Sequence, residues 1–220
     1  LSLLHHDVLR AYNDVLQPRP FYDEILRDTF GGSNEEAVTF WRDLLAHANK
    51  THLPRRHTPK EFDLTTHRTE KTSQLSSDDL TSFCKLQGVT LQAVCQTAWA
   101  FVLAQTVQSL DVMFGVVLAG RDSELAEEVM FPMMNTVVMR SVLHGSRKDM
   151  LQSIQATISD ISNHQHFPLR RIQASCQGQI QAGSSQNDAF FDTLFTFQRR
   201  PDNADDVTQT LYESVNGASE

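Results

Sequence analysis

Between Asp111 and Gly120 the chain carries an unbroken apolar run, Val112-Met113-Phe114-Gly115-Val116-Val117-Leu118. A run of this length bounded by turn signals reads as a central strand buried on both faces, because a strand with one wet side would alternate. A strand of that kind has to be covered by other layers, and the rest of the sequence offers helices and strands intermixed, with no strict βαβ repeat. The expected class is therefore an α/β layered body.

The helical patterns are legible. Leu4, Val8, Tyr12, Val15 and Leu16 recur at helical spacing until Pro18 and Pro20 stop them, and a short helix is expected over Tyr22 to Phe30, ending at Gly31-Gly32. Ser33 or Asn34 is placed to cap a helix running to Ala46, with Ser33 and Glu36 in capping-box spacing and Val38, Trp41, Leu44 and Leu45 on its apolar face. Ser76 or Ser77 caps the next helix, which stops near Gly88. Thr90 then opens the most apolar one, from Leu91 past Leu103, expected to be buried on several sides. Met150, Leu151, Ile154, Ile158 and Ile161 mark a long amphipathic helix. Further strands are expected at Phe62–Lys71, Met133–Leu143 and Phe190–Gln198. Residues 47–61 read as an exposed connection, the acidic stretch Asp122–Glu128 as a long turn, Gln177–Asn187 as a loop, and the tail after Pro201 as poorly ordered.

Composition excludes several functions. A formal net charge of −8 is unsuited to a general nucleic-acid surface, which needs clustered Lys and Arg. No apolar run reaches the roughly 18 residues that a membrane span needs. The first residues lack the basic and small-residue features of a secretory signal. They also begin without Met inside an apolar pattern, as a piece of a larger protein would. Cys84, Cys95 and Cys176 have no metal-ligand spacing and read as reduced, buried thiols of a cytoplasmic protein. His164 and His166, two apart, do not share a helix face and suggest no metal site. There is no P-loop, no G-x-G-x-x-G, and no G-x-S-x-G around Ser184-Ser185.

Four segments, in order, carry a family resemblance. Val112–Arg121 (V-M-F-G-V-V-L-A-G-R), Met130–Arg140 (M-F-P-M-M-N-T-V-V-M-R), Asn163–Leu169 (N-H-Q-H-F-P-L) and Phe191–Gln198 (F-D-T-L-F-T-F-Q) resemble the motifs of nonribosomal peptide synthetase condensation domains. Phe40-Trp41 and Ala98-Trp99 fall in the expected order, and the wording is similar to fungal synthetases, including siderophore assembly lines. The resemblance implies the chloramphenicol acetyltransferase-like (CoA-dependent acyltransferase) fold of two lobes in a V. This chain would be its C-terminal lobe, a layered sheet with flanking helices. The family's catalytic motif is His-His-x-x-x-Asp-Gly. His5-His6 is followed by Arg10-Ala11 where Asp-Gly is required, so the catalytic histidine is expected upstream of Leu1. At the other end, Leu211–Gly217 resembles the family segment that precedes the crossing to the first lobe.

As the resemblance implies, the parent enzyme joins two substrates held as thioesters on 4'-phosphopantetheine arms of partner carrier domains. No cofactor is bound directly. Its partners are the N-terminal lobe and the peptidyl carrier and adenylation domains of the same synthetase, with no nucleic acid and no membrane. Asn135, Thr136, Gly120 and Arg121 are the expected tunnel residues, with 119–133 as a floor loop. Asn135 either orients substrate or satisfies buried backbone at the start of a strand. Arg121 is expected to pair with Asp122, Glu124 or another acid, and Arg140 to be structural. Arg170-Arg171 and Arg199-Arg200 are basic spots that either dock a carrier domain or are simply solvated. The fragment alone would be inactive. A non-catalytic carrier-docking scaffold of the same ancestry is the alternative, and a CoA-using acyltransferase of the same fold a third.

Overall fold

The computed structural model describes residues 2–13, 15–30, 34–54, 66–176, 178, 180 and 189–198. In chain order the elements are α1 (Ser2–Tyr12), α2 (Tyr22–Phe30), α3 (Glu35–Leu44), α4 (Ser77–Gln87), α5 (Leu91–Val107), β1 (Asp111–Leu118), α6 (Glu124–Glu128), β2 (Asn135–Val142), α7 (Arg147–Asn163), α8 (Leu169–Ser175) and β3 (Leu194–Thr196). They fall into two compact units. The larger comprises Asn34–Leu118 and Asn135–Thr196; the described part of the smaller comprises residues up to Phe30, Ala119–Met134 and 197–198.

In the larger unit the apolar run is β1, the middle strand of a mixed sheet of order β2-β1-β3. β2 lies antiparallel, from Asp111 opposite Val142 to Leu118 opposite Asn135, while β3 lies parallel, from Gly115 beside Leu194 to Val117 beside Thr196. All five residues from Val112 to Val116 are buried, as a doubly covered strand requires. Alternation along the pleat puts Phe114, Val116 and Leu118 on one face with Met139, Val137 and Asn135, and Met113 and Val117 on the other with Arg140 and Thr136. Helices α5 and α7 cover the first face, where Gln96, Ile158 and Ile161 meet Val116, Leu118 and Met139. On the second face α8 packs against both α3 and β2.

Arg140 ties that second face together. Its Nε and Nη2 donate to the two carboxylate oxygens of Asp111 at 2.9 and 2.8 Å, and its Nη1 donates to the carbonyls of Leu44 and Ala46 at 3.0 and 2.9 Å. The carbonyls left over where α3 ends thus receive a cation, which the helix dipole favours. The structural role expected for Arg140 is what the geometry shows. Gly115 has its own reason. A Cβ there would lie 2.7 Å from Phe191 Cζ and overlap the Leu194 side chain, so any larger residue would require both of those side chains to move.

The parallel side of β1 is completed by a surrogate. β3 is only three residues long, and beyond it Thr51 Oγ1 accepts the Met113 N–H at 2.7 Å while Thr51 N–H donates to the Phe190 carbonyl at 3.0 Å. Thr51 is 4% exposed, so residues 47–61 are not wholly the surface connection that their His, Arg and Pro content predicts. Next to it, His52 Nδ1 and Asp192 Oδ1 are 2.9 Å apart, and Asp192 Oδ2 accepts the Leu53 N–H.

Other expectations are corrected. Residues 66–71 of the expected strand Phe62–Lys71 are not in a strand and lie exposed, since Thr66-His67-Arg68-Thr69-Glu70-Lys71 has no apolar side to bury; residues 62–65 lie outside those described. The first helix ends at Tyr12, before the two prolines. Asn34 occupies the N-cap of α3 without a side-chain bond, and Ser33 lies outside the described residues, as do Gly31-Gly32, Ser184-Ser185, most of Gln177–Asn187 and the tail from 199. The acidic stretch contains α6, capped by Ser123, whose hydroxyl accepts the Ala126 N–H. Helix α8 follows Pro168, a start signal present in the sequence but carried by only two turns. Ser76, Thr90 and Gly88 cap as their residue types dictate, Gly88 with φ +66°. No helix among the described residues is long and apolar enough to cross a membrane.

Two predictions follow from this packing. Arg140→Leu leaves Asp111 and two helix-end carbonyls without their donor, and should cost about 3 kcal/mol, lowering Tm by about 6–12 °C in thermal denaturation. Ser146 and Asp149 form the capping box of α7, and the Ser146 hydroxyl and N–H hold the Asp149 carboxyl below its ordinary 3.8. A depressed native pKa stabilises the fold above the unfolded value and loses that effect as pH falls through the native one. The stability gap between wild type and Asp149→Ala, read from denaturation midpoints, should therefore persist at neutral pH and close as pH drops below 3.8.

Candidate functional site

Asn135 opens β2, half buried, on the sheet face that α5 and α7 cover. Its Nδ2 donates to the carbonyls of Gln165 at 2.7 Å and Phe167 at 3.1 Å, and its Oδ1 accepts the Thr136 N–H at 2.9 Å. Both N–H bonds of the amide are therefore engaged. The main chain that they hold is the turn after α7, in the Asn163–Leu169 segment. Two motifs that stand 30 residues apart in the sequence are thus fastened by one side chain. Of the two readings open for Asn135, satisfaction of backbone is the one its bonds display. The same turn carries His164, whose ring lies tilted by 37° against Phe40 of α3 with centroids 4.2 Å apart, while Phe40 meets Trp41 edge to face at 5.0 Å. Phe167 is buried, and Gln165, His166 and Thr136 are half buried.

Gly120 and Arg121 belong to the smaller unit. Gly120 has φ +66°, and a Cβ there would overlap the Met133 carbonyl oxygen, so the segment closes on itself at its two ends only through glycine. Arg121 donates through Nη1 to the carbonyls of Ala126 and Val129 and through Nη2 to that of Phe131. The acid partner expected for it is replaced by three main-chain oxygens of its own loop. These include those where α6 ends, so the arginine organises the loop's backbone. Inside, Ala126, Val129 and Met133 bury against Ile25 of α2, and Tyr22 stacks on Phe131 at 5.2 Å. Arg19 forks onto both oxygens of Asp7 at 2.6 and 2.7 Å and donates to the Glu128 carbonyl, which lowers the Asp7 carboxyl below its usual range. The stretch from 119 to 133 is therefore a small folded element rather than a bare turn.

Arg170 and Arg171 stand exposed on α8; Arg199 and Arg200 lie outside the described residues. Two of the thiols, Cys176 and Cys95, are poor nucleophiles. Cys176 is 1% exposed, with Sγ 3.5 Å from the Trp41 carbonyl, and burial pushes its pKa up to about 11; desolvation likewise raises that of Cys95. Among the described residues no three His, Cys, Asp or Glu side chains converge as metal ligands. Sequence reasoning missed the Thr51 surrogate, the His52–Asp192 clasp and a recess at Gln96. Only the last left a signal, a glutamine inside the most apolar helix.

With this geometry in place, comparison with known proteins is informative. A family model described as "Condensation domain" matches residues 22–219. Among curated relatives, nonribosomal peptide synthetase sidC of Arthroderma benhamiae is 38% identical over 219 residues, and nonribosomal peptide synthetase 2 of Cochliobolus heterostrophus 40% over 223. Each match covers 100% of this chain but 4% of the relative's length. Among solved structures, the first condensation domain of the CDA synthetase matches with TM-score 0.60 at 17% identity, over 78% of this chain and 40% of that one. A four-domain nonribosomal peptide synthetase bound to AMP and glycine matches with TM-score 0.63 at 13% identity, over 78% of this chain and 13% of that one.

Asn135→Ala should strand the buried Phe167 carbonyl and free the turn, costing about 2 kcal/mol and lowering Tm by about 4–8 °C. Hydrogen exchange should show the loss of protection concentrated at 164–168 and at the start of β2.

Proposed function

The chain belongs to the condensation-domain family, and from that premise we propose that it is one part of a catalyst that forms peptide bonds between carrier-bound thioesters in nonribosomal peptide synthesis. The acceptor amine attacks the donor's thioester carbonyl, the C–N bond forms, the C–S bond breaks, and the donor's pantetheine thiol leaves with a proton. The 4'-phosphopantetheine arms belong to partner carrier domains. In this reading the chain is the C-terminal lobe of the acetyltransferase-like fold and supplies one wall of the substrate tunnel. The family match over residues 22–219 carries the proposal, together with the way Asn135 fastens the Asn-Thr motif to the His-Gln motif.

Each residue then has a role. Asn135 holds the main chain of the 164–168 turn, so that Thr136 and the wall around it keep their place. The segment 119–133, closed at Gly120 and braced by Arg121, is the floor loop. Arg170 and Arg171, exposed on α8, and the pair Arg199-Arg200 are carrier contacts. The reaction's proton acceptor is the histidine of a His-His-x-x-x-Asp-Gly motif, a pattern that residues 1–220 do not contain. Aligning two tethered reactants can supply about 7–11 kcal/mol. Correctly placed proton transfer adds about 10²–10⁴-fold. Walls without the base leave the second of these undone. The sidC name of several relatives supports a siderophore product, and their fungal sources a fungal parent.

Reconstitution tests this. The chain alone, and the chain joined to the segment that precedes it in its parent, are each incubated with loaded donor and acceptor carriers, and the carrier-bound product is read by mass spectrometry. Dipeptidyl thioester from the joined form alone is expected, with charge reversal at Arg170 and Arg171 raising KM for the carrier more than it lowers kcat. A joined form that binds loaded carriers but makes no product supports the docking-scaffold reading instead.

A further inference from the structure

Arg19 stands between Pro18 and Pro20 in the stretch that joins α1 to α2. The prolines fix φ on either side of it, and a residue before proline is confined to extended backbone, so the arginine rides on a stiff strap. The strap brings it back to Asp7 of α1, 12 positions earlier. All three guanidinium nitrogens are engaged there. Nε and Nη2 fork onto the Asp7 carboxylate at 2.6 and 2.7 Å, and Nη1 donates to the Glu128 carbonyl at 2.9 Å. The paired side chains are 18% and 17% exposed. A forked arginine–carboxylate pair fixes direction as well as distance, which the point charge of a lysine does not.

Glu128 closes α6 within the segment 119–133, and its carbonyl is among those that a helix end leaves over. Arg121 takes the carbonyls of Ala126, Val129 and Phe131 from inside that segment. Arg19 takes the Glu128 carbonyl from outside it. The buried apolar core that the segment shares with α2 is small, Ile25 with Ala126, Val129 and Met133. A segment with so few buried contacts opens at low cost, and a polar anchor has a correspondingly large effect on where it stays.

We propose that Arg19 is a positioning residue of the condensation reaction, which fixes the floor loop to helix α1 through Asp7 and the Glu128 carbonyl. This rests on the reading above, in which the His-His-x-x-x-Asp-Gly motif precedes α1 and 119–133 is the floor loop. The helix that leads away from the proton acceptor and the floor beneath the reactants are then parts of one body. Arg19 touches neither substrate nor reacting atoms. It sets the spacing between the base and the surface on which two tethered substrates are aligned, and a misplacement of about 1 Å can cost about 10²-fold.

The test uses the intact condensation domain that contains this chain, with loaded donor and acceptor carriers, and reads both turnover and hydrogen exchange. In Arg19→Met, amide exchange should rise at 124–131 and stay unchanged in β1 and β2. The kcat should fall by about tenfold or more while KM for each carrier moves by less than about twofold. Asp7→Asn should give the same pattern, and the double variant should be no worse than Arg19→Met, because the two residues act as a unit. Unchanged exchange at 124–131 overturns the anchor. Full kcat per folded molecule, with only Tm lowered, overturns the positioning role and leaves Arg19 a purely structural residue. If Arg19→Met does not fold, Arg19→Lys, which keeps the cation and loses the fork, is read against the same outcomes. A wild-type domain that makes no dipeptidyl thioester removes the underlying reading and the positioning role with it, whereas an active wild type beside a fully active variant overturns the positioning role alone.

Discussion

Everything in the larger unit is organised by the burial of β1 on both faces with both of its edges paired. A strand without a wet side needs a layer above, a layer below and hydrogen bonds left and right, and each demand recruits a different part of the chain. Helices α5 and α7 answer the first, and α3 and α8 the second. The lateral demands fall to β2 along the whole strand and to β3 for three residues, with the Thr51 hydroxyl filling in where β3 has not yet begun. Arg140 belongs to the same economy. It satisfies Asp111 at one end of the central strand and the end of α3 in a single stroke, so a helix and the sheet it covers share a fixed point.

The candidate site inherits this rigidity. Asn135 is the first residue of β2 and Leu118 its register partner, so the site begins where the doubly covered strands leave the sheet. Its side chain works on main chain, and so does Arg121 in the smaller unit. Both residues stand in the motifs that carry the family resemblance, yet both are engaged in shaping backbone. Motif residues of this sort act through what they hold in place, which fits the proposed reaction, in which orientation of two tethered partners would contribute much of the rate.

What the sequence discloses and what it withholds follow a physical line. β1, β2, α2, α4, α5 and α7 are legible because each has a periodicity or an apolar run that does not depend on anything distant, and Ser76, Thr90 and Gly88 end their helices by local chemistry. The brevity of β3 is not legible, since Phe190–Gln198 has strand composition throughout and only its partner decides how much of it pairs. Nor is the burial of Thr51, a small polar residue among His, Arg and Pro, whose value arises from an amide 62 positions away. At Arg121, composition points to the nearby acids. The loop's own carbonyls win because α6 and the turn after it bring three of them together around one guanidinium. The order of the family motifs is readable; the fact that one amide joins two of them is a property of the fold.

The clasp between residues 51–53 and 190–192 has a consequence for synthesis. Thr51, His52 and Leu53 all find partners about 140 positions later, so one long loop of chain is closed by a few hydrogen bonds. A nascent chain leaving the ribosome can pair β1 with β2 early, by an antiparallel connection of modest length. It cannot satisfy the other edge of β1 until the last strand emerges. During that interval the most apolar strand of the chain presents open hydrogen-bonding groups to its neighbours, the condition under which strands join across molecules. Until residues 190–196 arrive, the central strand is half-finished. The run His52-Leu53-Pro54 and Gly115 of β1 stand at the edge that waits.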